Sequence, residues 1–138
     1  SHGHVFDFDR KLKQDPARLE VLGDGHQKKS YLYVQDCIDA ILTALESSEG
    51  GVEIYNLGTN EYCEVNDSIA WICEFLDLNP RLDYTGGERG WVGDNPFIFL
   101  DCSRIRGSGW EPAVSIREGV IKTVKYLQEN EWLLESRE

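Results

Sequence analysis

The fold is decided in residues 19–36, which read LEVLGDGHQKKSYLYVQD. The apolar residues of 19–22 predict a short strand, and the Gly-Asp-Gly sequence of 23–25 predicts the turn that ends it. The aromatic and β-branched residues of 30–34 predict a second strand. Asp36 follows at a position suited to capping the N-terminus of a helix or to meeting its N-terminal dipole. The stretch therefore predicts strand, turn, strand and helix in quick succession.

The segments on either side continue this alternation. Apolar residues at helical spacing predict helices over 5–13, 36–45 and 67–76, and a Ser-x-x-Glu capping box at Ser115 opens a fourth helix over 115–127. Besides the strands over 19–22 and 30–34, short strands are expected over 52–57 and 81–85. An extended segment over 61–65 and a short helix from Asp101 to Ile105 are also expected. In the helix from Asp36, five residues form one apolar stripe that we expect to face the core: Cys37, Ile38, Ile41, Leu42 and Leu45.

These elements indicate an α/β fold of the small α+β-like kind. Short strands, some of them parallel, would be flanked by three or four helices. No linker is long enough to divide the chain, so residues 1–138 are expected to form one domain.

Composition excludes several classes of partner. The 138 residues include 25 acidic and 14 basic side chains, which give a net charge of -11. A chain this acidic is not expected to bind nucleic acid or an anionic membrane surface. It has no apolar run of 18 residues and no signal-peptide pattern, and we expect a cytoplasmic protein.

The cysteines and histidines lack the spacing of metal ligands. None of the four cysteines forms a Cys-x-x-Cys pair. Small buried thiols in a reducing compartment are the simplest interpretation, with a disulfide or a zinc site as alternatives. His2 and His4 stand near the start of the sequence and His26 lies in a turn, so no metal site is expected.

Several motifs of nucleotide chemistry are missing. The Gly23-Asp24-Gly25 turn lacks the third glycine of a dinucleotide fingerprint, and no Walker A sequence is present. No Tyr is followed by Lys four positions later. The sequence therefore predicts no catalytic residue and no cofactor-binding residue of its own.

Two places combine positive charge with an unusual backbone. One is residues 27–31, where Lys28 and Lys29 enter a strand, and the other is the glycine-rich segment 86–91 with Arg89. Glycine lets the backbone approach a ligand closely, and a planar guanidinium matches phosphate oxygens. These places are candidates for binding a small phosphate-bearing ligand. The alternative is that the lysines are ordinary surface residues and that Arg89 pairs with a nearby carboxylate.

Several strings, taken in order, resemble one family. They are residues 19–25, 27–36, 55–58 and 89–96, followed by Asp101-Cys102-Ser103 and Gly109-Trp110-Glu111-Pro112. Together they resemble the C-terminal, substrate-binding portion of the extended short-chain dehydrogenase/reductases, the NAD-dependent nucleotide-sugar epimerases and dehydratases of the UDP-glucose 4-epimerase type. The resemblance covers essentially the whole chain.

The resemblance implies roles for individual residues. The segment Glu20-Val21-Leu22 would line the nucleotide base, and Lys29 would contact the diphosphate where the family usually has Arg. Arg89 would lie in a second loop that closes on the diphosphate. Tyr31, the aromatic residue two positions after Lys29, completes the substrate-binding set.

Other positions would be architectural by the same resemblance. Asp36 would cap and position its helix, Asn56 and Gly58 would shape the backbone, and Trp110 would pack under the last helix. None of these residues is expected to touch the substrate.

The resemblance also implies a division of labour. NAD and the catalytic Tyr-x-x-x-Lys motif would belong to a preceding Rossmann domain. This chain, which contains no Met, would be an excised piece of the longer enzyme. It would bind a UDP-sugar and catalyse no reaction on its own. Separation from that domain would expose apolar surface and favour self-association. Two alternatives remain: a free-standing binding or interaction module, and a scaffold whose ligand site is defunct.

Overall fold

The computed structural model describes residues 3–90, 93–94 and 97–135. Within them the helices are α1 (His4–Gln14), α2 (Val34–Glu46), α3 (Val65–Leu76), α4 (Ser103–Gly107), α5 (Ile116–Glu129) and α6 (Trp132–Glu135). The strands are β1 (Arg18–Val21), β2 (Lys28–Lys29), β3 (Cys63–Glu64) and β4 (Arg81–Tyr84). Four helices of 11 to 14 residues accompany short strands, which confirms the predicted class.

The strands form two separate pairs. β1 and β4 are parallel, with Leu19 opposite Leu82 and Val21 opposite Tyr84. β2 and β3 are antiparallel, with Lys29 opposite Cys63. The expectation that some strands are parallel is therefore confirmed.

Most apolar burial lies in one cluster, here called the main core. It forms where α1, α3 and α5 pack together beside β1, and Leu12, Leu19, Ile72 and Val124 are at most 2% exposed. The full buried set is Val5, Phe8, Leu12, Leu19, Val21, Cys63, Val65, Ile69, Ile72, Ile116, Val120, Val124 and Leu127. The helical spacing in α1, α3 and α5 thus predicts the buried face correctly.

A smaller cluster, here called the second core, lies between α2 and α4. Its buried residues are Ala40, Cys102, Ile105 and Trp110. The Trp110 indole Nε1 donates a hydrogen bond of 3.1 Å to the Asp36 carbonyl oxygen. Trp110 therefore packs against α2 and α4 and not under the last helix, because its N–H finds an acceptor in the first turn of α2.

Asp36 does not cap α2, but it lies in the first turn, where it meets the N-terminal dipole of the helix. Helix α2 begins at Val34 with Tyr33 as its N-cap residue, so Asp36 already lies inside the first turn. Its side chain is 3% exposed and accepts hydrogen bonds of 3.1 Å from the backbone N–H groups of Ala113 and Val114. The carboxylate thus fixes the segment that enters α5 against α2.

The apolar stripe of α2 does not face a core. Ile38, Ile41, Leu42 and Leu45 are 43% to 69% exposed. An amphipathic pattern shows which face of a helix is apolar, but not what covers it. Among the described residues, the second core covers only the side of α2 around Ala40.

The strands predicted over 30–34 and 52–57 are not formed. Residues 30–33 follow β2 without belonging to it, Val34 begins α2, and 52–57 form no strand. Val52 is 95% exposed and Ile54 is 76% exposed. A β-rich sequence forms a strand only where another strand offers backbone partners, and none of the described strands lies beside 52–57.

The long final helix begins as predicted. The Ser115 side chain accepts from the Glu118 N–H at 3.3 Å, and the Glu118 carboxylate accepts from the Ser115 N–H at 3.0 Å. Helix α3 uses a related arrangement one turn earlier than expected, with Glu64 as its N-cap residue and the Asp67 carboxylate accepting from the Glu64 N–H at 2.8 Å.

Candidate functional site

A glycine-rich loop, of which the structure describes residues 85–90 and 93–94, extends from the end of β4 and is anchored on the turn after β1. Residues 91, 92, 95 and 96 of the family string 89–96 lie outside the described residues. The Thr85 N–H donates to the Val21 carbonyl at 3.0 Å, and the Gly86 N–H donates to the Gly23 carbonyl at 2.9 Å. The Gly23 N–H in turn donates to the Thr85 hydroxyl at 2.9 Å. The parallel pairing of β1 and β4 therefore brings the turn of 23–25 and the glycine-rich loop to the same end of the sheet.

Gly90 lies close to the same turn. A Cβ atom at this position would stand 3.4 Å from both the Leu22 carbonyl oxygen and the Gln27 Nε2 atom. Gln27 is fixed there because its Nε2 donates to the Leu22 carbonyl at 2.9 Å. A larger residue at 90 would have to displace these neighbours by a few tenths of an ångström.

Lys29 and Asp94 join the loop to β2. The Lys29 Nζ lies 2.5 Å from the Asp94 Oδ1, and the Asp94 Oδ2 accepts from the Gly90 N–H at 3.1 Å. Both side chains are mostly buried, at 20% and 15% exposure. Partial burial acts to raise the pKa of Asp94, but the Lys29 ammonium and the Gly90 N–H outweigh it and lower that pKa. Asp94 is therefore held as an ionised acceptor.

Arg89 is exposed and lies in the same loop. Its positive charge also contributes to lowering the pKa of Asp94. The structure thus pairs Lys29 with Asp94 and places Arg89 in the same loop, but it shows no contact between Arg89 and Asp94. The sequence places Asp94 in the family string 89–96, but it does not predict the contact with Lys29, which lies 65 positions away.

The three residues predicted to line a base are presented differently. The Val21 side chain is 0% exposed in the main core, so only its backbone could meet a ligand. The exposed Glu20 carboxylate faces the Lys11 Nζ at 3.6 Å. Leu22 is 40% exposed, and its carbonyl oxygen would lie 3.4 Å from a Cβ atom at Gly90.

Tyr31 packs against a residue that the sequence pattern does not assign to the site. The rings of Tyr31 and His4 stack with centroids 4.1 Å apart and an interplanar angle of 11°. Burial raises the pKa of Tyr31. Burial and the nearby charge of Lys29 lower the pKa of His4 to about 4. His4 is thus a neutral residue that packs at the start of α1. It lies one position before Val5 and one helical turn before Phe8.

The glycines of the first turn do not fit a dinucleotide. A Cβ atom on Gly23 would fall 1.9 Å from the Gln27 Nε2, and one on Gly25 would fall 2.1 Å from the Asn66 Oδ1. These glycines make room for side chains of this chain itself. The turn leads into β2 instead of a helix N-terminus, which a bound pyrophosphate of NAD would require.

Metal and membrane features are likewise not seen in the described part of the chain. Residues 3–90, 93–94 and 97–135 contain no group of three His, Cys, Asp or Glu side chains that could hold a metal ion. The four cysteines are free, with Cys63 and Cys102 buried. Burial raises the pKa of the Cys63 and Cys73 thiols. No helix within these residues is long and apolar enough to span a bilayer.

Comparisons with known proteins agree with the resemblance. The profile of the family described as NAD dependent epimerase/dehydratase matches residues 2–58. The human protein dTDP-D-glucose 4,6-dehydratase is 32% identical over 126 residues, which cover 86% of this chain and 35% of the human protein.

Solved structures extend the match to the fold. A crystal structure of UDP-galactose 4-epimerase is 32% identical, with a TM-score of 0.79 over 95% of this chain and 42% of that chain. The UDP-glucose 4-epimerase of Thermotoga maritima, solved with UDP-glucose, is 28% identical, with a TM-score of 0.78 over 94% of this chain and 40% of that one.

The matches cover nearly all of this chain but a minor part of each relative. The chain spans 17% to 38% of the length of the curated relatives that it matches. Their names describe nucleotide-sugar dehydratases and epimerases. By sequence and fold together, this chain belongs to the NAD dependent epimerase/dehydratase family and corresponds to a portion of its longer members.

Proposed function

We propose that this chain is the substrate-binding portion of an NAD-dependent nucleotide-sugar epimerase or dehydratase, and that Lys29 and Arg89 hold the diphosphate of the sugar nucleotide. The observation that carries this proposal is the ion pair of Lys29 with Asp94 beside the glycine-rich loop that also carries Arg89. In a chain with a net charge of -11, the basic side chains of Lys29 and Arg89 provide a suitable binding site for a small anion. The epimerase of T. maritima was crystallised with UDP-glucose, which supports a UDP-sugar as the ligand.

The proposal assigns no chemistry to this chain. Residues 1–138 act as a single binding domain, and NAD with the hydride-transfer machinery belongs to a Rossmann domain elsewhere in the parent protein. Binding energy from the nucleotide, which lies far from the reacting carbon, positions the sugar for reaction. The poor fit of the Gly23-Asp24-Gly25 turn to a dinucleotide supports this division.

Calorimetry on the 138-residue chain with UDP-glucose and with pyrophosphate tests the anion site. Lys29→Ala and Arg89→Ala should each weaken binding of both ligands by about fivefold to tenfold, because each removes a charge-assisted contact. Lys28→Ala is the matched control for Lys29. Its ammonium lies 5.0 Å from the centre of the Tyr62 ring and points to a different neighbour.

Two binding results would contradict the proposal. One is UDP-glucose binding that is equally strong in wild type, Lys29→Ala and Arg89→Ala. The other is a clear binding isotherm for NAD on this chain, which would place the cofactor here. Turnover of a nucleotide sugar by the chain alone would likewise refute the absence of chemistry.

A second candidate is a free-standing interaction module, and the exposed apolar face of α2 favours it. Ile41, Leu42 and Leu45 are 48% to 69% exposed, which suits a protein partner. The same face also suits the missing Rossmann domain of the first candidate. The parent reading frame discriminates between them: a strand-turn-helix with the G-x-x-G-x-x-G fingerprint upstream supports the first candidate, and a start codon at this sequence supports the second.

A further inference from the structure

We propose that Glu61 is a positioning residue of the anion site: it ties Ser30, the residue that follows Lys29, to the start of helix α5. This inference rests on the proposed function, because that function assigns Lys29 to the diphosphate. It adds a residue that acts through its neighbours and that lies outside the strings shared with the family.

The Ser30 side chain anchors the backbone between two residues of the predicted site. Ser30 lies between Lys29 and Tyr31 in the chain. The Lys29 ammonium pairs with Asp94, whereas the Ser30 hydroxyl donates to the Glu61 carbonyl oxygen at 2.9 Å. The backbone that carries Lys29 and Tyr31 is therefore held by the segment that contains Glu61.

Strand pairing alone gives this backbone little support. Strand β2 contains two residues, and its last residue, Lys29, lies opposite Cys63. So short a pair of strands is not stable by itself. The hydrogen bond from Ser30 to Glu61 continues the connection between the two segments beyond the point where the strand pairing ends.

Glu61 is in turn fixed by two further segments of the chain. Its N–H donates to the hydroxyl of Thr59 at 3.2 Å, and Thr59 is 6% exposed. Its carboxylate accepts from the Ile116 N–H at 2.9 Å. Ile116 is the first residue of α5 and is buried in the main core, and its N–H has no acceptor within the helix. Glu61 thus connects the position of Ser30 to that of the main core.

Calorimetry on the 138-residue chain with UDP-glucose as the probe tests this role. Ser30→Ala and Glu61→Ala should each weaken binding about threefold to fivefold, because each removes one hydrogen bond of the connection. Glu61→Gln keeps an acceptor for the Ile116 N–H and should restore the affinity of wild type. Glu118→Ala is the matched control, since the Glu118 carboxylate also accepts from an N–H at the start of α5, that of Ser115. The control should change the affinity less than about 1.5-fold.

The double variant separates positioning from a general loss of stability. Ser30→Ala combined with Glu61→Ala should bind about as well as either single variant, because both changes break the same connection. Urea denaturation of each variant measures its stability alongside. Additive losses of affinity would overturn the proposal, and so would a loss in Glu118→Ala as large as that in Glu61→Ala.

Hydrogen exchange of the backbone amides of residues 28–31 needs no ligand. Ser30→Ala and Glu61→Ala should speed this exchange severalfold, whereas Glu118→Ala should not, because only the first two release the end of β2. Unchanged exchange in both variants would refute the positioning role.

Failure of this role is distinguishable from failure of the proposed function. If Lys29→Ala weakens UDP-glucose binding while Ser30→Ala and Glu61→Ala bind like wild type, only the role of Glu61 is refuted. If folded wild type binds neither UDP-glucose nor pyrophosphate, the anion site itself is refuted, whatever the exchange rates are.

Discussion

Helices α5 and α2 have similar lengths and both are amphipathic, yet they are covered to very different degrees. Helix α5 buries Ile116, Val120, Val124 and Leu127 in the main core. Of its apolar residues, helix α2 buries only Ala40. The main core is closed by contacts among α1, α3 and α5. Among the described residues, the outer face of α2 remains exposed apolar surface.

The contrast shows that an amphipathic pattern identifies a face that needs a neighbour without locating the neighbour within the same chain. In α5 the neighbour is α1 and α3. For the outer face of α2 we infer that the neighbour is the Rossmann domain of the proposed parent. In segment 52–57, Val52 and Ile54 are exposed, whereas Tyr55 and Leu57 are partly buried against the second core.

The largest expected effect comes from a comparison of the same Leu→Ala substitution in the main core and on α2, which tests the difference in burial between the two regions. Leu19→Ala in the main core should lower the free energy of unfolding by about 3 kcal/mol, because Leu19 is 0% exposed and its removal leaves a cavity. Leu42→Ala on α2, where the side chain is 52% exposed, should cost less than about 1 kcal/mol. Urea denaturation followed by circular dichroism measures both. Equal losses would mean that α2 is as well covered as β1.

The sequence predicts the elements of the main core well for a physical reason. The helix over 5–13, the strand over 19–22 and the capping box at Ser115 depend on spacing and on neighbours within a few residues, which a sequence displays directly. The parallel pairing of β1 with β4 cannot be derived in this way, because it joins residues 63 positions apart, as in Arg18 opposite Arg81.

The candidate site shows the same limit. Lys29 and Arg89 can be identified from charge, glycine content and family strings. The family string 89–96 includes Asp94, but its contact with Lys29 joins residues 65 positions apart and cannot be predicted from spacing. Asp36 is similar: the sequence places it at the start of α2, but its hydrogen-bond partners Ala113 and Val114 are more than 70 positions away.

The second prediction concerns the link between the two cores. Asp36→Asn should lower the free energy of unfolding by about 2 kcal/mol, since an amide cannot accept from both the Ala113 and Val114 N–H groups and leaves a buried donor unpaired. Asp39→Asn on the same helix is the control, because Asp39 is exposed and bonded to Gln35. Chemical denaturation of both variants checks the prediction. A loss for Asp39→Asn as large as for Asp36→Asn would argue against a special role for the buried carboxylate.

The third prediction concerns the apolar face of α2. If the chain self-associates through it, the double change Leu42→Lys and Leu45→Lys should weaken association at least about tenfold, because two charges would have to be buried at the contact. Tyr126→Lys is the control, since Tyr126 is an exposed apolar residue on α5, at 55% exposure. Sedimentation velocity over a concentration series measures the effect. Wild type that remains monomeric at millimolar concentration would refute the expectation of self-association.

The smallest expected effect compares, under acid, one hydrogen-bonded carboxylate from each region: Glu118 at the start of α5 and Asp101 just before α4. The Ser115 N–H and hydroxyl groups lower the pKa of Glu118, and the Ser103 N–H and hydroxyl lower the pKa of Asp101. A carboxyl group with a lowered pKa stabilises the fold above its ordinary pKa, and that contribution is lost as the pH falls through the lowered value. Glu118→Gln should therefore flatten the dependence of unfolding on pH below about pH 5, because α5 belongs to the main core.

Asp101→Asn, in contrast, should leave global unfolding nearly unchanged and speed hydrogen exchange in α4, since the second core can open without the main core. Denaturation at several pH values, with hydrogen exchange on the same samples, distinguishes the two responses. If Asp101→Asn flattens the global pH profile as much as Glu118→Gln does, then the two cores unfold as one cooperative unit despite their unequal burial.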